Sequence, residues 1–453
     1  MKSNLAILGH TELGIIAIVS ILSILTVHVI FLPASIITLG ALFFLFITIL
    51  FLHNPLYGFI SILITRTSID FLSSRFSISI VESIDLNIAS LFAIISISLY
   101  TLFLLKNKKY VSSIPLIIPF LLFIFMIIIS HIYSIDKVST LKETLRVSSI
   151  FFTYLTAYLL CMLHTDHKKI IINSILLSSI IPISFALFQF TTKTGMTDAT
   201  GLDGRLFGTF AEANGFASFM LIIITLLLYK TFSSNKNSKS DSSLILLVLS
   251  TLLMLLTFSR GGWLALLVIF GVFGAIKKPK ILLIFSGIFI ILFFTSPKIH
   301  ERIEDVYNPP SDSSVRWRIR QWTDVIDTWK LSPIYGHGGG TEIVLHIQEH
   351  SYFSGDPYTH NDLLKTLQEI GVIGAALFVL LMSYTIILFF KNYRSNSNEN
   401  NKLFILLVLL LFLSELSFGM SSNIWRITAI QWLLWTLIAC SLSTKSKPLI
   451  KAA

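Results

Sequence analysis

The sequence predicts an all-α fold: a polytopic integral membrane protein of about fourteen transmembrane helices, within a range of 12 to 14. Hydrophobic residues make up 54% of the 453-residue chain and charged residues only 13%, whereas a soluble domain carries about 25% charged residues. The apolar residues also form long uncharged runs without strand-like alternation, such as 13–31. Runs of about 18 or more such residues are typical of membrane-spanning helices.

The apolar runs divide the chain around one long hydrophilic segment. We predict spans at 13–31, 34–52, 55–72, 86–105, 114–133, 147–163, 170–190, 213–230, 244–258, 262–276, 281–295, 372–390, 403–419 and 426–443. The domains are therefore eleven helices over 1–295, a periplasmic helical loop over 296–371, and three helices with a cytoplasmic tail over 372–453. Only Lys2 precedes the first span as a basic residue, and no cleavage pattern follows it, so we expect an anchor.

Basic residues in alternate short loops predict the orientation of the protein in an inner (cytoplasmic) membrane. Lysine clusters such as 106–109 and 277–280 lie on one side of the predicted spans, and the positive-inside rule makes that side cytoplasmic. Both termini are then cytoplasmic, and segment 296–371 faces the periplasm. The formal net charge of +10 is an orientation signal and does not indicate nucleic-acid binding.

Arginines are concentrated on the predicted outer side. Ten of the chain's 11 arginines fall there: Arg66, Arg75, Arg146, Arg205, Arg260, Arg302, Arg316, Arg318, Arg320 and Arg426. The planar guanidinium binds phosphate or carboxylate oxygens through paired hydrogen bonds. Some of these arginines are therefore candidate anion ligands, and salt bridges to outer acids are the alternative for about half of them.

Polar residues inside the spans collect at the outer ends and not at the span centres. They are His28, His131, Gln189 and Glu415. A transporter usually needs ionisable groups near the bilayer midplane, so this distribution favours a site at the outer membrane–water boundary. Cys161 and Cys440 fall inside hydrophobic spans, where neither a disulfide framework nor a metal site is expected.

Two short outer segments combine glycine with arginine. In the first, Gly204 and Gly208 bracket Arg205, and Asn214 follows at the start of a span; glycines there let the backbone and the guanidinium approach a ligand together. In the second, Arg260 lies in a tight turn between two spans. The alternatives are a plain turn for the first segment and a snorkelling arginine for the second.

A third segment, 313–329, predicts an amphipathic helix in the outer loop. Its apolar residues repeat at helical spacing: Val315, Ile319, Trp322, Ile326 and Trp329. Arg318 falls at the edge of this apolar face, where a charge needs a specific anion. Arg316 and Arg320 point away beside Asp324 and Asp327, as ordinary i,i+4 partners, and are weaker candidates.

The fourth segment carries the candidate base, His360, with Asn361 beside it as a weaker candidate. Thr359 and Asp362 resemble a capping box, which would place His360 in the first turn of a helix. The positive helix end disfavours imidazolium, so we expect a neutral ring able to accept a proton. The alternative is a histidine that is simply hydrogen-bonded at a helix start.

The glycine-rich stretch 336–340 is a separate feature of the outer loop. It lacks the lysine and the following Ser or Thr of a nucleotide-binding loop, and on the periplasmic side it would meet no ATP. We interpret it as a flexible turn after Pro333. His337 within it is a weak candidate only.

These segments, in this order, resemble the O-antigen ligase and O-antigen polymerase superfamily of bacterial membrane glycosyltransferases. The resemblance covers roughly 200–420. The matching residues are Arg205, Gly208, Asn214, Ser259, Arg260, Gly261, Arg318, Trp322, Pro333, Gly336, Gly338, His360, Asn361, Leu364, Glu369 and Gly371. Gly204 and His337 have no clear counterpart in the family pattern.

The resemblance implies an inverting glycosyltransferase that takes a glycan from undecaprenyl diphosphate without metal, cofactor or nucleotide sugar. By matched position, Arg205, Arg260 and Arg318 would hold the lipid diphosphate, and His360 would activate the acceptor hydroxyl. The other expected partners are an acceptor glycan or lipid, membrane lipids, and a chain-length regulator or flippase.

Five functions stay open from the sequence, and one of them is that of a non-catalytic assembly partner. A polymerase of repeat units is favoured modestly by fourteen spans, because the ligase is expected to have about twelve. A ligase would transfer glycan to lipid A–core, and a related enzyme would transfer it to protein. A membrane transporter is the alternative from a different class.

Overall fold

The computed structural model describes residues 33–74, 77–81, 84–197, 203–233, 240–308, 314–349 and 358–443. Over these residues the protein is a bundle of α-helices, which confirms the predicted helical class. A short antiparallel hairpin, which the all-α prediction did not include, pairs β1 (Ser77–Val81) with β2 (Ile84–Asn87). The predicted span 13–31, with His28, lies outside the described residues.

The helices follow one another with short connections. Before the hairpin lie α1 (Pro33–His53), α2 (Pro55–Ser68) and a 3-10 turn (Asp70–Ser74). After it lie α3 (Ile88–Lys106), α4 (Lys108–Val111), α5 (Ile117–Ser130), α6 (Lys137–Leu163), α7 (Thr165–Ser178), α8 (Ile180–Thr192), α9 (Ala213–Phe232), α10 (Ser240–Leu255), α11 (Arg260–Ile276) and α12 (Pro279–Thr295).

The predicted outer loop is itself largely helical. It contains α13 (Pro297–Tyr307), α14 (Ser314–Leu331) and α15 (Glu342–Glu349). The chain continues with α16 (Asp362–Ser395), α17 (Glu399–Gly419), a 3-10 turn (Ile424–Arg426) and α18 (Thr428–Leu442).

Several helices have the length and apolarity of membrane spans, and the chain is a membrane protein. Within the described ranges six pass both criteria: Ile88–Lys106, Lys137–Leu163, Thr165–Thr192, Ala213–Phe232, Asp362–Ser395 and Glu399–Gly419. A seventh is possible if α12 and α13, bent by 96° at their junction, form one span. Other apolar helices, including α5, α11 and α18, have 10–17 residues. The predicted count of about fourteen is therefore not confirmed.

Large aromatic side chains fill the centre of the bundle, where α18 packs against α6 and α17. The ring of Trp435 meets Phe120 edge-on at 4.5 Å and Tyr154 at 5.8 Å between centroids. Helices in a membrane associate through close packing, because lipid tails are as apolar as the side chains they would replace. Trp425 lies 6.2 Å from Trp435, so this packed centre extends up to the outer loops.

The long helix α16 is broken near its beginning. Ile370 and Gly371 leave the helical conformation, and Gly371 has φ 65° and ψ −170°, a backbone conformation that is essentially restricted to glycine. The break leaves the carbonyls of Gln368 and Glu369 without helical partners. It therefore separates a short first part of α16 from the apolar part that follows.

The glycine turn at 336–340 satisfies these carbonyls. The backbone N–H groups of His337 and Gly338 donate to the Glu369 oxygen, at 3.0 and 2.7 Å. A Cβ on Gly338 would lie 2.2 Å from Ser134 Oγ, so the turn is packed against the start of α6. The expectation of a flexible turn was wrong, because the glycines serve close backbone contact here and not mobility.

We expect Gly371→Ala to destabilise the protein markedly. The new Cβ would lie 2.1 Å from the Ile334 carbonyl oxygen, and the φ/ψ combination alone costs about 1–3 kcal/mol in a residue with a side chain. The thermal unfolding of the detergent-purified protein measures the loss. Gly271→Ala is the matched control, because a Cβ there meets nothing within 4 Å. Equal stability of the two variants would contradict the prediction.

The two cysteines join the C-terminal parts of α6 and α18. Cys161 and Cys440 are buried free thiols whose Sγ atoms lie 3.3 Å apart. They face one another inside the bundle, so their contact belongs to helix packing.

Candidate active site

Arg205 lies on the connection between α8 and α9, which a buried glutamine holds in place. The Gln189 Oε1 atom accepts the N–H groups of Phe207 and Gly208, and its Nε2 donates to the Gly208 oxygen. Gly204 and Gly208 have φ of 79° and 55°, so both need the freedom of glycine. Gln189, which the sequence marked only as a polar residue at a span end, thus fixes the Arg205 loop.

The Arg205 guanidinium brings the first two motifs together. Its Nε donates to the Thr257 oxygen at 3.0 Å, and its Nη2 to Asn214 Oδ1 at 3.3 Å. The same Asn214 oxygen accepts a hydrogen bond from Ser259 Oγ at 2.8 Å. Asn214 therefore orients Arg205 beside the turn that precedes Arg260.

Arg260 extends this group to the outer loop. It is the first residue of α11, after Ser259, whose side chain caps the helix by accepting the Gly262 N–H. The Arg260 Nη2 atom donates to Ser314 Oγ at 2.5 Å. Ser314 begins α14, and Arg318 lies four residues, about one helical turn, further along that helix.

The buried face of α14 differs from the predicted apolar face. Gln321, Val325 and Thr328 are buried, whereas Ile319 is 55% exposed. Arg318 precedes Gln321 by three residues and is partly buried, so it belongs to the packed side and not to its edge. The predicted face was therefore right only in part. Trp322, Ile326 and Trp329 are partly buried. Gln321, outside that face, is buried, and its amide faces the ring of His346 on α15 at 3.5 Å.

Arg316 and Arg320, the weaker candidates of the same helix, have exposed side chains. This agrees with the prediction that they point away from the packed face.

The structure places His360 just before α16 and not in its first turn. The N-cap is Asn361, whose side chain accepts the N–H groups of Leu363 and Leu364. The predicted Thr359–Asp362 capping box, and the helical position it gave His360, were therefore wrong. His360 has φ 51°, a left-handed conformation uncommon for residues other than glycine.

The α14 helix holds the His360 turn directly. The ring of Trp317 meets the His360 imidazole edge-on, 5.3 Å between centroids. The Trp322 indole donates to the Thr359 oxygen at 2.8 Å. His360 itself is only 6% exposed. The third and fourth sequence motifs therefore form one contact surface.

The connection between α17 and α18, residues 420–427, contacts both halves of this arrangement. Ser422 Oγ accepts from Asn214, and the Met420 oxygen accepts from Asn361. The Arg426 guanidinium lies over the ring of Tyr358, 3.3 Å from its centroid. Sequence reasoning missed this connection; its one signal was Arg426 among the outer arginines.

A network of buried charges lies below the His360 turn. Lys365 pairs with Glu369 at 2.7 Å and with Glu143 at 3.2 Å, and Glu143 also pairs with Arg146. These groups line a cavity of about 50 Å³, together with Asp362, Gly339 and Trp425. That volume would hold a few water molecules. Among these residues the sequence had pointed to Arg146 as an outer arginine, to Asp362 as part of a capping box, and to Glu369 by family resemblance, but not to Lys365 or Glu143.

We expect Lys365→Met to destabilise the protein by about 3–5 kcal/mol, because it leaves Glu143 and Glu369 buried without their shared cation. Thermal unfolding in detergent measures the effect. Lys402→Met is the control, since Lys402 pairs with a largely exposed Glu399, and surface pairs contribute little. A Lys365 variant as stable as the Lys402 variant would contradict the prediction.

Arg318 lies on α14 between Trp317 and Trp322, the two residues that contact the His360 turn. Contacts thus connect the other three predicted site residues, Arg205, Arg260 and His360. They run from Arg205 through Asn214 and Ser259 to Arg260, then along α14 to the His360 turn. His337 lies in the glycine turn and takes no part in these contacts; its Nδ1 atom is hydrogen-bonded to the backbone oxygen of Gln368 in α16. In the described part of the chain, no group of three or more His, Cys, Asp or Glu residues is arranged to hold a metal ion.

Residues 245–379 match the family model described as O-antigen ligase. No curated protein matches the chain. The matched segment contains Arg260, Arg318 and His360, and the resemblance inferred from the motifs is thereby confirmed. The match supports a glycosyltransferase of the O-antigen ligase and polymerase type.

Proposed function

We propose, from an O-antigen ligase match over residues 245–379, that this protein transfers oligosaccharide from undecaprenyl diphosphate at the periplasmic face of the inner membrane. The proposed reaction is the polymerisation of polysaccharide repeat units, of the O-antigen or exopolysaccharide kind. The observation that supports it most is the continuous set of contacts that joins Arg205, Arg260 and α14 to His360.

In the proposed reaction the acceptor hydroxyl attacks the anomeric carbon of the donor sugar. The bond from that carbon to the diphosphate oxygen breaks, the configuration inverts, and undecaprenyl diphosphate leaves. Negative charge grows on the leaving group, so preorganised guanidinium groups from Arg205, Arg260 and Arg318 stabilise the transition state. Neither a metal nor a cofactor is assigned a role.

His360 is the proposed general base. Its ring accepts the proton that the acceptor hydroxyl loses as the new glycosidic bond forms. Asn361 and Asn214 support the site without touching the reacting atoms: Asn361 caps α16 behind His360, and Asn214 orients Arg205. Arg316 and Arg320 remain weaker candidates for contacts with the glycan.

Deletion of the gene, followed by analysis of envelope glycans, separates the polymerase from the ligase. Loss of long chains with single repeats still attached to the acceptor indicates a polymerase. Accumulation of long lipid-linked chains indicates a ligase that acts on lipid A–core or protein. We expect the first result, and a chain-length regulator or a flippase is a proposed partner.

Purified protein in liposomes tests the proposed function against transport. With undecaprenyl-diphosphate-linked repeat units supplied from outside, an enzyme lengthens the glycan in vesicles that contain no other protein. Movement of solute without any change in the lipid-linked glycan would instead identify a transporter and overturn the proposal.

A further inference from the structure

Glu342 is a buried carboxylate that contacts the His360 turn. It is the first residue of α15 and only 2% exposed. Its Oε1 atom accepts the backbone N–H of Thr359 and the side-chain Nδ2 of Asn423, the latter at 3.0 Å. It therefore joins the beginning of α15 to the His360 turn and to the connection 420–427.

Thr359, the residue before His360, is hydrogen-bonded at both its backbone N–H and its carbonyl oxygen. The Thr359 N–H donates to Glu342, and the Thr359 oxygen accepts from the Trp322 indole. Glu342 and Trp322 thus hold a turn whose next residue, His360, has an unfavourable left-handed backbone conformation.

Because Glu342 is buried, its side chain depends on hydrogen bonds from the protein. A buried carboxylate is unfavourable unless hydrogen-bond donors replace water. The Glu342 oxygen obtains two donors, and one of them is the backbone of the His360 turn. The carboxylate and the turn therefore stabilise each other, and the removal of either leaves the other without its partner.

We propose that Glu342 is a positioning residue for His360. It holds the Thr359–His360 turn so that the imidazole faces the site next to α14. The proposal rests on the proposed function, in which His360 accepts the acceptor proton. Glu342 lies within the family match but belongs to none of the four motifs, and no part of the sequence marked it.

The first test is kinetic. In Glu342→Ala we expect kcat to fall about 10- to 100-fold, with the KM for the lipid-linked donor nearly unchanged, because a displaced base impairs the chemical step more than donor binding. Glu342→Gln keeps an acceptor oxygen for the Thr359 N–H, so it should recover most of the activity. A loss from general misfolding would lower the amount of active enzyme in both variants and would not be rescued by glutamine.

The second test does not depend on activity. Diethyl pyrocarbonate modifies accessible imidazoles, and mass spectrometry of the full-length protein in detergent follows the modification of His360. At 6% exposure the wild-type ring should react slowly. We expect the rate to rise several-fold in Glu342→Ala and to stay near the wild-type rate in Glu342→Gln. Glu301→Ala, which alters an exposed carboxylate on α13, is the matched control.

The two tests separate the proposal from the proposed function. An unchanged modification rate in Glu342→Ala overturns the positioning role, whatever the activity. Faster modification with unchanged turnover supports the tie between Glu342 and the turn but overturns His360 as the base. If Glu342→Ala does not fold, two other variants test the role. Asn423→Ala removes the second donor to the same carboxylate. The role is overturned if the modification rate is like wild type in Asn423→Ala and in Glu342→Gln while Glu342→Gln has lost its activity.

Discussion

His360→Ala should abolish glycan transfer while the protein still inserts in the membrane at the wild-type level. Loss of a general base costs about 10²- to 10⁴-fold in rate. The imidazole also lies at the end of the contacts that connect the loops bearing arginines. Its removal leaves no group to take the proton from the acceptor hydroxyl. The measurement is the rate of chain extension by purified enzyme with lipid-linked repeat units.

The matched control for this variant is His131→Ala. His131 is another outer-side histidine, but it is exposed at the end of α5 and outside the contacts that surround His360. Its substitution should leave the rate unchanged. If His360→Ala retained wild-type turnover, catalysis by this imidazole would be excluded, and the proposed function would lose its base.

Arg318→Lys should reduce the rate about 10²- to 10³-fold, the usual effect of removing one preorganised donor to a developing charge. Lysine keeps the positive charge, but as a point charge it lacks the planar fork that holds two phosphate oxygens. Arg318 lies on the packed side of α14, so a lysine in its place cannot move freely to make up for the missing hydrogen bonds. The same chain-extension rate measures this effect.

Lys330→Ala is the control on the same helix. Lys330 is exposed and pairs with the exposed Asp327, and such surface pairs contribute little to stability. We expect wild-type activity from it. An Arg318→Lys enzyme of wild-type activity would show that charge alone suffices at this position, and Arg318 would no longer be a specific diphosphate ligand.

The outer arginines separate into two groups in the structure. Arg66 pairs with Asp70 at 2.6 Å and Arg146 pairs with Glu143, so these two serve the fold, as expected for part of the set. Arg205 and Arg260 instead join one motif to the next through amide, hydroxyl and carbonyl oxygens. The sequence placed all four on one side of the membrane but could not distinguish their roles.

The sequence was most informative where the signal is local. Long apolar runs predict helices because a backbone in lipid must satisfy its own hydrogen bonds. Glycines beside arginine predicted the loop of Arg205, where Gly204 and Gly208 do have left-handed backbones. Family resemblance pointed to His360, and the O-antigen ligase match covers that residue.

Predictions failed where two local signals competed. Thr359 and Asn361 can both cap a helix, and the choice of Asn361 moved His360 out of the first turn. On α14 the apolar repeat correctly included Trp322, which contacts the His360 turn, but it did not predict that Gln321 and Thr328 would be the more deeply buried residues. Periodicity indicates which side chains are apolar, whereas the packing of neighbouring segments decides which side chains are buried.

By itself, the sequence determined the helical membrane class and the set of arginine, asparagine and histidine residues available on the predicted outer side. Both follow from interactions within one segment of chain, which hydropathy and spacing record. Only the tertiary structure decided that Gln189 holds the Arg205 loop and that Glu342 holds the His360 turn. Other contacts of the site join residues still farther apart in sequence: Asn214 meets Ser422 across 208 positions and Glu342 meets Asn423 across 81. No local pattern encodes such a pair, because its energy depends on burial that exists only once the helices have packed.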